Sequence, residues 1–216
     1  MEDKLNVVYE DNHVIVIVKP QNIPTQEDES KDKDLLTIIK EYIKEKENKP
    51  GNVYVGLVHR LDRPTGGVMV FAKTSKAASR LSTQITEGEL KKRYLAVVLG
   101  KPKEKRRKLI NYLQKNARTN TVQVVPELTT GAKRAELEYN LLEAKDKVSL
   151  VEVDLYTGRS HQIRVQFASR RHPLLGDKKY GSSENCPIGL YSHRIQNCGL
   201  NISDNPPNEL PWNIFD

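Results

Sequence analysis

The sequence predicts an α+β fold, a mixed and largely antiparallel central sheet with flanking helices. Two observations predict it. Short runs of β-branched and aromatic residues, bounded by Gly, Pro, Asn or Asp, recur along the chain, which is the pattern of strands joined by turns. Three stretches instead space their apolar residues with a helical period. At 216 residues the chain suits one domain over 1–216, or two closely joined lobes, and can bury most of its unfolded surface.

Val7, Val8 and Tyr9, then the apolar run 14–18, flank Glu10-Asp11-Asn12 as two strands across a hairpin turn. Pro20 cannot donate to a ladder, so the second strand ends at Lys19. Residues 26–33 form a charged loop. From Asp34 the period changes: Leu35, Leu36, Ile38, Ile39, Tyr42 and Ile43 share one helical face, with Lys40, Glu41, Lys44, Glu45 and Lys46 on the other. Asp32 or Asp34 can cap its start, and Pro50-Gly51 closes its end. A strand over 53–58 leads into a loop around Asp62, and Val68-Met69-Val70-Phe71-Ala72 reads as a buried strand.

Thr74 or Ser75 can cap a second helix carrying Ala78, Leu81 and Ile85, with Gly88 beyond its end. A strand over 91–99 follows, basic in its first part. Residues 101–118 carry eight cations against Glu104 alone, and read either as a phosphate-contacting arm or as an exposed loop kept soluble by charge. Residues 122–125, 135–142 and 148–155 alternate as strands, neighbours in an antiparallel sheet. Gly158 breaks the last of these, Ser160 can cap a third helix, and Ile163, Phe167 and Ala168 form its apolar face. Residues 174–181 are a turn-rich loop, 188–195 a last strand, and the tail around Pro206-Pro207 has no evident element.

Hydrophobic residues make up 37% and charged residues 29% of the chain, with a formal charge of +7 and a pI near 9.3. That balance favours a polyanionic partner. Nucleic acid ranks ahead of membrane, because no basic amphipathic segment stands beside a hydrophobic anchor and no apolar run approaches a membrane span. No signal-peptide core follows Met1, so the expected location is cytoplasmic. Cys186 and Cys198 fit ordinary thiols, not a disulfide framework or a zinc site. Neither GxGxxG after a strand, a Walker loop, HExxH nor GxSxG occurs.

An Asp, a Tyr and an Arg remain, on separate elements in basic surroundings. Asp62 lies between Arg60 and Arg63, ahead of Pro64-Thr65-Gly66-Gly67. Alone it reads as a turn residue bonding nearby amides. Tyr94 alone reads as core, and Arg164 as a phosphate or carboxylate clamp or a surface charge. Their flanking sequences add to this: Val-His-Arg-Leu-Asp-Arg-Pro-Thr-Gly-Gly at 58–67, Lys-Lys-Arg-Tyr-Leu-Ala-Val-Val at 91–98 and Thr-Gly-Arg-Ser-His-Gln-Ile-Arg-Val-Gln at 157–166. With the segments 8–20 and 172–181, they stand in the order and spacing of the RluA-type pseudouridine synthases, and the resemblance covers nearly the whole chain. Two departures stand out. Thr65-Gly66-Gly67 replaces the family's frequent Thr-Ser-Gly, and the chain starts directly at the catalytic domain, without the S4 RNA-binding domain of many relatives.

The resemblance implies the pseudouridine synthase fold, with a basic active-site cleft across the sheet. It implies isomerisation of a flipped-out uridine in rRNA or tRNA by a monomer that needs neither cofactor nor metal. Asp62 would be the catalytic aspartate, acting at C1′, on the uracil ring, or by assisting base departure with deprotonation at C2′. Arg164 would be its salt-bridge partner, since a planar guanidinium fork meets a carboxylate bidentately and stays charged. Tyr94 would stack on the flipped base and take the C5 proton. Arg60 would fill the space the base vacates. His59, Arg159, His161 and Gln162 complete the expected substrate-binding set.

Overall fold

The computed structural model describes residues 5–216. Contacts divide the chain into two compact units, Met1–Lys91 with Ser192–Asn205, and Lys92–Tyr191 with Pro206–Asp216.

The first unit opens with the hairpin β1 (Asn6–Glu10) and β2 (Val14–Lys19), which pairs Asn6 with Val18 and Glu10 with Ile15 across a register shift between Val7 and Tyr9. Asp11 makes the turn: its Oδ1 accepts from the amides of His13 and Val14, both at 2.7 Å. β2 pairs antiparallel with β4 (Gly66–Ala72), every residue of which is buried. β3 (Gly56–Leu57) pairs with the C-terminal end of β4, Gly56 opposite Ala72 and Leu57 opposite Phe71, as a two-residue strand shorter than the expected 53–58. Gly56 is where helix α2 (Ser75–Thr86) passes: a Cβ there would lie 2.9 Å from Ala78 Cβ.

Side chains alternate across a strand, so one face of β2 and β4 presents Val14, Val16, Val68, Val70 and Ala72, which pack with Ala77 and Leu81 of α2. Ile15, Ile17, Met69 and Phe71 fill the other face, with no exposure. Thr74 caps α2 by accepting from the Ala77 amide. Asp34, not Asp32, caps α1 (Leu35–Lys46), which buries Leu35, Ile39 and Ile43. β10 (Leu190–Gln196), whose residues from Ser192 onward belong to this unit, pairs with a short β11 (Asn201–Ser203) that the sequence did not announce.

In the second unit the strands lie in the order β5 (Lys91–Leu99), β9 (Val148–Leu155), β8 (Lys133–Lys145), β6 (Arg106–Asn116) and β7 (Thr121–Val125), each pair antiparallel. The basic stretch is therefore neither an arm nor a loop for most of its length, but an 11-residue strand. Its cations face acids on β8: Arg106 pairs with Glu138, and Lys108 shares Glu136 with Arg134. β7 pairs with this strand and not with β8. Helix α3 (Gln162–Ala168) starts from His161 in the left-handed region, φ 50°, with no side-chain cap, so Ser160 does not fill that role. Every residue from Gln162 to Phe167 is buried, not one face alone. Near the C-terminus a 3₁₀ turn (Trp212–Phe215) buries Trp212 edge-on against Tyr191.

Candidate functional site

Asp62 sits in the first unit on the loop between β3 and β4. The loop is fixed at its backbone. The Thr65 amide donates to the Asp62 carbonyl at 2.9 Å and closes the turn. The carbonyls of Leu61, Arg63 and Thr65 are then held from β2 and the segment after it. Thr25 Oγ1 donates to Leu61 O at 2.9 Å, and the Asn22 amide donates to Arg63 O at 2.8 Å. Lys19, 1% exposed, sends its Nζ to Pro20 O, Arg63 O and Thr65 O at 2.9, 3.0 and 2.9 Å. Three acceptors match the three protons of an ammonium. Burial pulls the Lys19 pKa down to about 7, although the nearby Asp62 charge favours the protonated form.

Gly67 follows at φ 113°, and a Cβ there would fall 2.3 Å from Ser192 O, so only glycine lets β4 begin at this point. His59 accepts the Val70 amide on Nε2 at 3.1 Å, which ties the loop to the strand it precedes. Arg60 is exposed. Arg63 turns toward the preceding charged loop, bonding Ser30 Oγ at 2.7 Å and pairing with Asp28 and Asp32. The loop thus presents one carboxylate on a backbone with little freedom, which favours preorganised chemistry.

The second unit carries Tyr94 and Arg164. Tyr94 lies on β5 opposite Val153 of β9, and is 5% exposed. Arg164 is buried in α3 and makes a bidentate pair with Asp177, Nε to Oδ2 at 2.8 Å and Nη2 to Oδ1 at 2.7 Å. Asp177 thus engages two of the nitrogens of the guanidinium fork. The guanidinium also lies over the Tyr180 ring, 5.1 Å from its centroid. A buried guanidinium needs such compensation, and a carboxylate plus an aromatic face supply it. The Tyr180 hydroxyl accepts from the Val122 amide at 2.9 Å and meets His161 Nδ1 at 2.7 Å.

Gln162 faces inward. Its Oε1 takes Thr157 Oγ1 at 2.7 Å and the Arg159 amide at 3.1 Å, while Nε2 donates to Glu136 O at 3.0 Å. Its side-chain amide thus ties the loop 157–159 to Glu136 of β8. Arg159 is exposed and donates Nε to Arg134 O at 3.0 Å. The structure therefore gathers His59, Arg60 and Asp62 on one loop, and Arg159, His161, Gln162 and Arg164 on one short segment. Sequence reasoning missed Lys19, Asp177 and Tyr180. A lysine ending an apolar strand was the signal for the first. The other two lie inside the 172–181 segment, which entered the family resemblance with no role given to either residue. Among the described residues no group of three His, Cys, Asp or Glu could hold a metal ion, and no helix is long and apolar enough to cross a membrane.

Residues 13–169 match the model of a family described as RNA pseudouridylate synthase. The chain is 35% identical over 197 residues to an uncharacterized RNA pseudouridine synthase, YhcT, of Bacillus subtilis, covering 89% of this chain and 64% of that protein. It is 34% identical to the ribosomal large subunit pseudouridine synthase D of Xylella fastidiosa, covering 86% and 54%. A dual-specificity RNA pseudouridine synthase, RluA, of Escherichia coli O6:H1 is 35% identical, with 85% of this chain and 80% of that protein covered. The chain thus spans less than two thirds of the length of the first two. Among solved structures, human RNA pseudouridylate synthase domain containing 4 superposes with a TM-score of 0.79 at 20% identity, over 94% of this chain and 88% of that one. That likeness establishes the fold.

Proposed function

Since the chain belongs to the RNA pseudouridylate synthase family, we propose that it isomerises uridine in RNA to pseudouridine, with Asp62 as the catalytic carboxylate. The reaction breaks the N1–C1′ bond, turns the uracil and joins C5 to C1′; the C5 proton leaves to solvent and N1 gains one. Atoms and electrons balance within one nucleotide. A stacked uracil cannot turn in place, so the uridine must leave its stack.

The family match carries this reading, because residues 13–169 enclose Asp62, Tyr94 and Arg164. The build of the Asp62 loop supports it: three backbone carbonyls bonded by Lys19 hold the carboxylate's support in one geometry. Tyr94 offers the aromatic face for the displaced base and the C5 proton acceptor. Arg164 supplies the fixed positive charge. Arg60, His59, Arg159 and His161 are assigned to RNA contacts around the nucleotide. The target is structured rRNA or tRNA; relatives named for the ribosomal large subunit favour rRNA. A cytoplasmic monomer completes the proposal.

RNA tritiated at uracil C5 tests it. Wild-type protein should release tritium without cleaving the strand. Asp62→Asn should lower release at least about a thousand-fold, as loss of an essential catalytic group does, and bind RNA as before. A variant turning over near the wild-type rate would refute the assignment.

A further inference from the structure

Lys92 is a largely buried cation that no acceptor meets among the described residues. It lies on β5 two residues before Tyr94, so both side chains leave the strand on the same face. Lys92 is 9% exposed. Among the described residues its Nζ makes no hydrogen bond and no ion pair, and burial alone pulls its pKa down, with no carboxylate to offset it. Its neighbours contrast with it. Arg93 on the opposite face is bonded to Asp154 at 2.7 Å, and the more deeply buried Lys19 has three carbonyls. An ammonium that is largely desolvated and meets no acceptor costs stability unless a ligand completes the pair.

The approach to this ammonium is open at one residue. A Cβ built on Gly158 would stand 3.4 Å from Lys92 Nζ and meet nothing else within 4 Å. Gly158 is exposed, and its backbone is outside the left-handed region, so no conformational need calls for glycine. What glycine leaves there is room for an acceptor oxygen at about 2.8 Å, the spacing of a charge-assisted hydrogen bond. We propose that Lys92 is an RNA-phosphate site, taking a phosphodiester oxygen of the strand that carries the target uridine, with the oxygen entering over Gly158. The proposal rests on the pseudouridine synthase reading. A phosphate fits better than a uracil carbonyl, since a desolvated ammonium gains most from a full negative charge.

The test uses C5-tritiated rRNA transcript, with binding measured by filter retention across a salt series. Lys92→Met should weaken binding roughly ten-fold and flatten the slope of log affinity against log salt by about one, the signature of one lost phosphate contact. Gly158→Ala keeps the lysine but fills the approach, and should weaken binding in the same direction. Lys92→Arg should keep the slope. Removing an unpaired buried charge strands no acceptor, so Lys92→Met should melt no lower than wild type. An unchanged slope in Lys92→Met, or wild-type binding by Gly158→Ala, overturns the site. Tritium release by wild-type protein reports separately on the enzymatic reading: a Lys92-dependent slope without release would uphold the phosphate contact and remove the isomerase.

Discussion

Lys19 couples the Asp62 loop to the strand beneath it by charge. As an ammonium it has a proton for each of the carbonyls of Pro20, Arg63 and Thr65; as a neutral amine it has one too few. With a pKa of about 7, the full set is present below that pH and one bond is lost above it. Stability runs the other way. The folded pKa is depressed below that of the unfolded chain, so the unfolded state holds more protons between about pH 7 and 10.5. Lys19's contribution is therefore fully present above about 10.5 and is lost as pH falls through about 7. Lys19→Met should slow turnover about a hundred-fold, the scale of a misplaced catalytic group, leave RNA affinity near wild type, and erase the fall in rate above pH 7. A variant that retains that fall would show that another group titrates. Little of this could be read from the sequence. Asp62, Tyr94 and Arg164 are proposed on the strength of their motifs, but the carbonyls that Lys19 binds lie 44 and 46 positions away for Arg63 and Thr65. Asp177 likewise took on meaning only through its bonds to Arg164.

Elements whose burial is periodic were legible, and those whose charges pair at long range were not. The β1–β2 hairpin, β4, α1 and α2 all follow local signals: an Asx turn, an unbroken apolar run, and Asp34 and Thr74 caps. β6 hid because its buried residues, Leu109 and Leu113, fall four apart, and Arg106 and Lys108 meet their acidic partners only on β8. A second charge cluster binds the ends of three elements. Lys73, just past β4, bonds Glu10 at the end of β1 at 2.7 Å and Glu47 at the end of α1 at 2.9 Å, and Lys46 bonds the other oxygen of Glu10 at 2.7 Å. Burial raises the Glu10 pKa, but the hydrogen bonds from Lys46 and Lys73 outweigh it and hold it below the usual range. Bonds from Lys49 and Lys73 take Glu47 down to about 2. Depressed carboxylate pKa values add stability that is present above about pH 4.5 and is lost as pH falls through about 2. Amide exchange of α1 should therefore speed up between pH 5 and 2 ahead of α2. Lys73→Met should speed it at neutral pH, with a loss of about 2 kcal/mol for the paired bonds. Equal acid sensitivity of the two helices would argue that the cluster does not hold α1.

Across the whole molecule the excess of 35 Lys and Arg over 28 Asp and Glu would make the proposed RNA binding salt-sensitive, but the cations differ in what they can contribute. Those in the middle of the basic block are engaged: Arg106 by Glu138, Arg107 by Glu104, Lys108 by Glu136. Lys101, Lys103 and Lys105, just ahead of β6, are exposed and have no acidic partner among the described residues. A cation already facing a carboxylate releases no counterion when a phosphate arrives unless that pair first breaks, so the two groups should separate in a salt titration. With about five phosphates contacted, wild-type affinity should fall on the order of a hundred-fold over a four-fold rise in salt. The triple substitution Lys101→Gln, Lys103→Gln and Lys105→Gln should flatten the log–log slope by roughly two. The double substitution Arg106→Gln and Lys108→Gln should change it by less than one, and instead lower the melting temperature by leaving Glu136 and Glu138 with fewer partners. Equal flattening in both would mean that RNA displaces the β6–β8 ion pairs, and that the strand itself lies in the contact surface. No change in either would move the RNA path away from this end of the second unit.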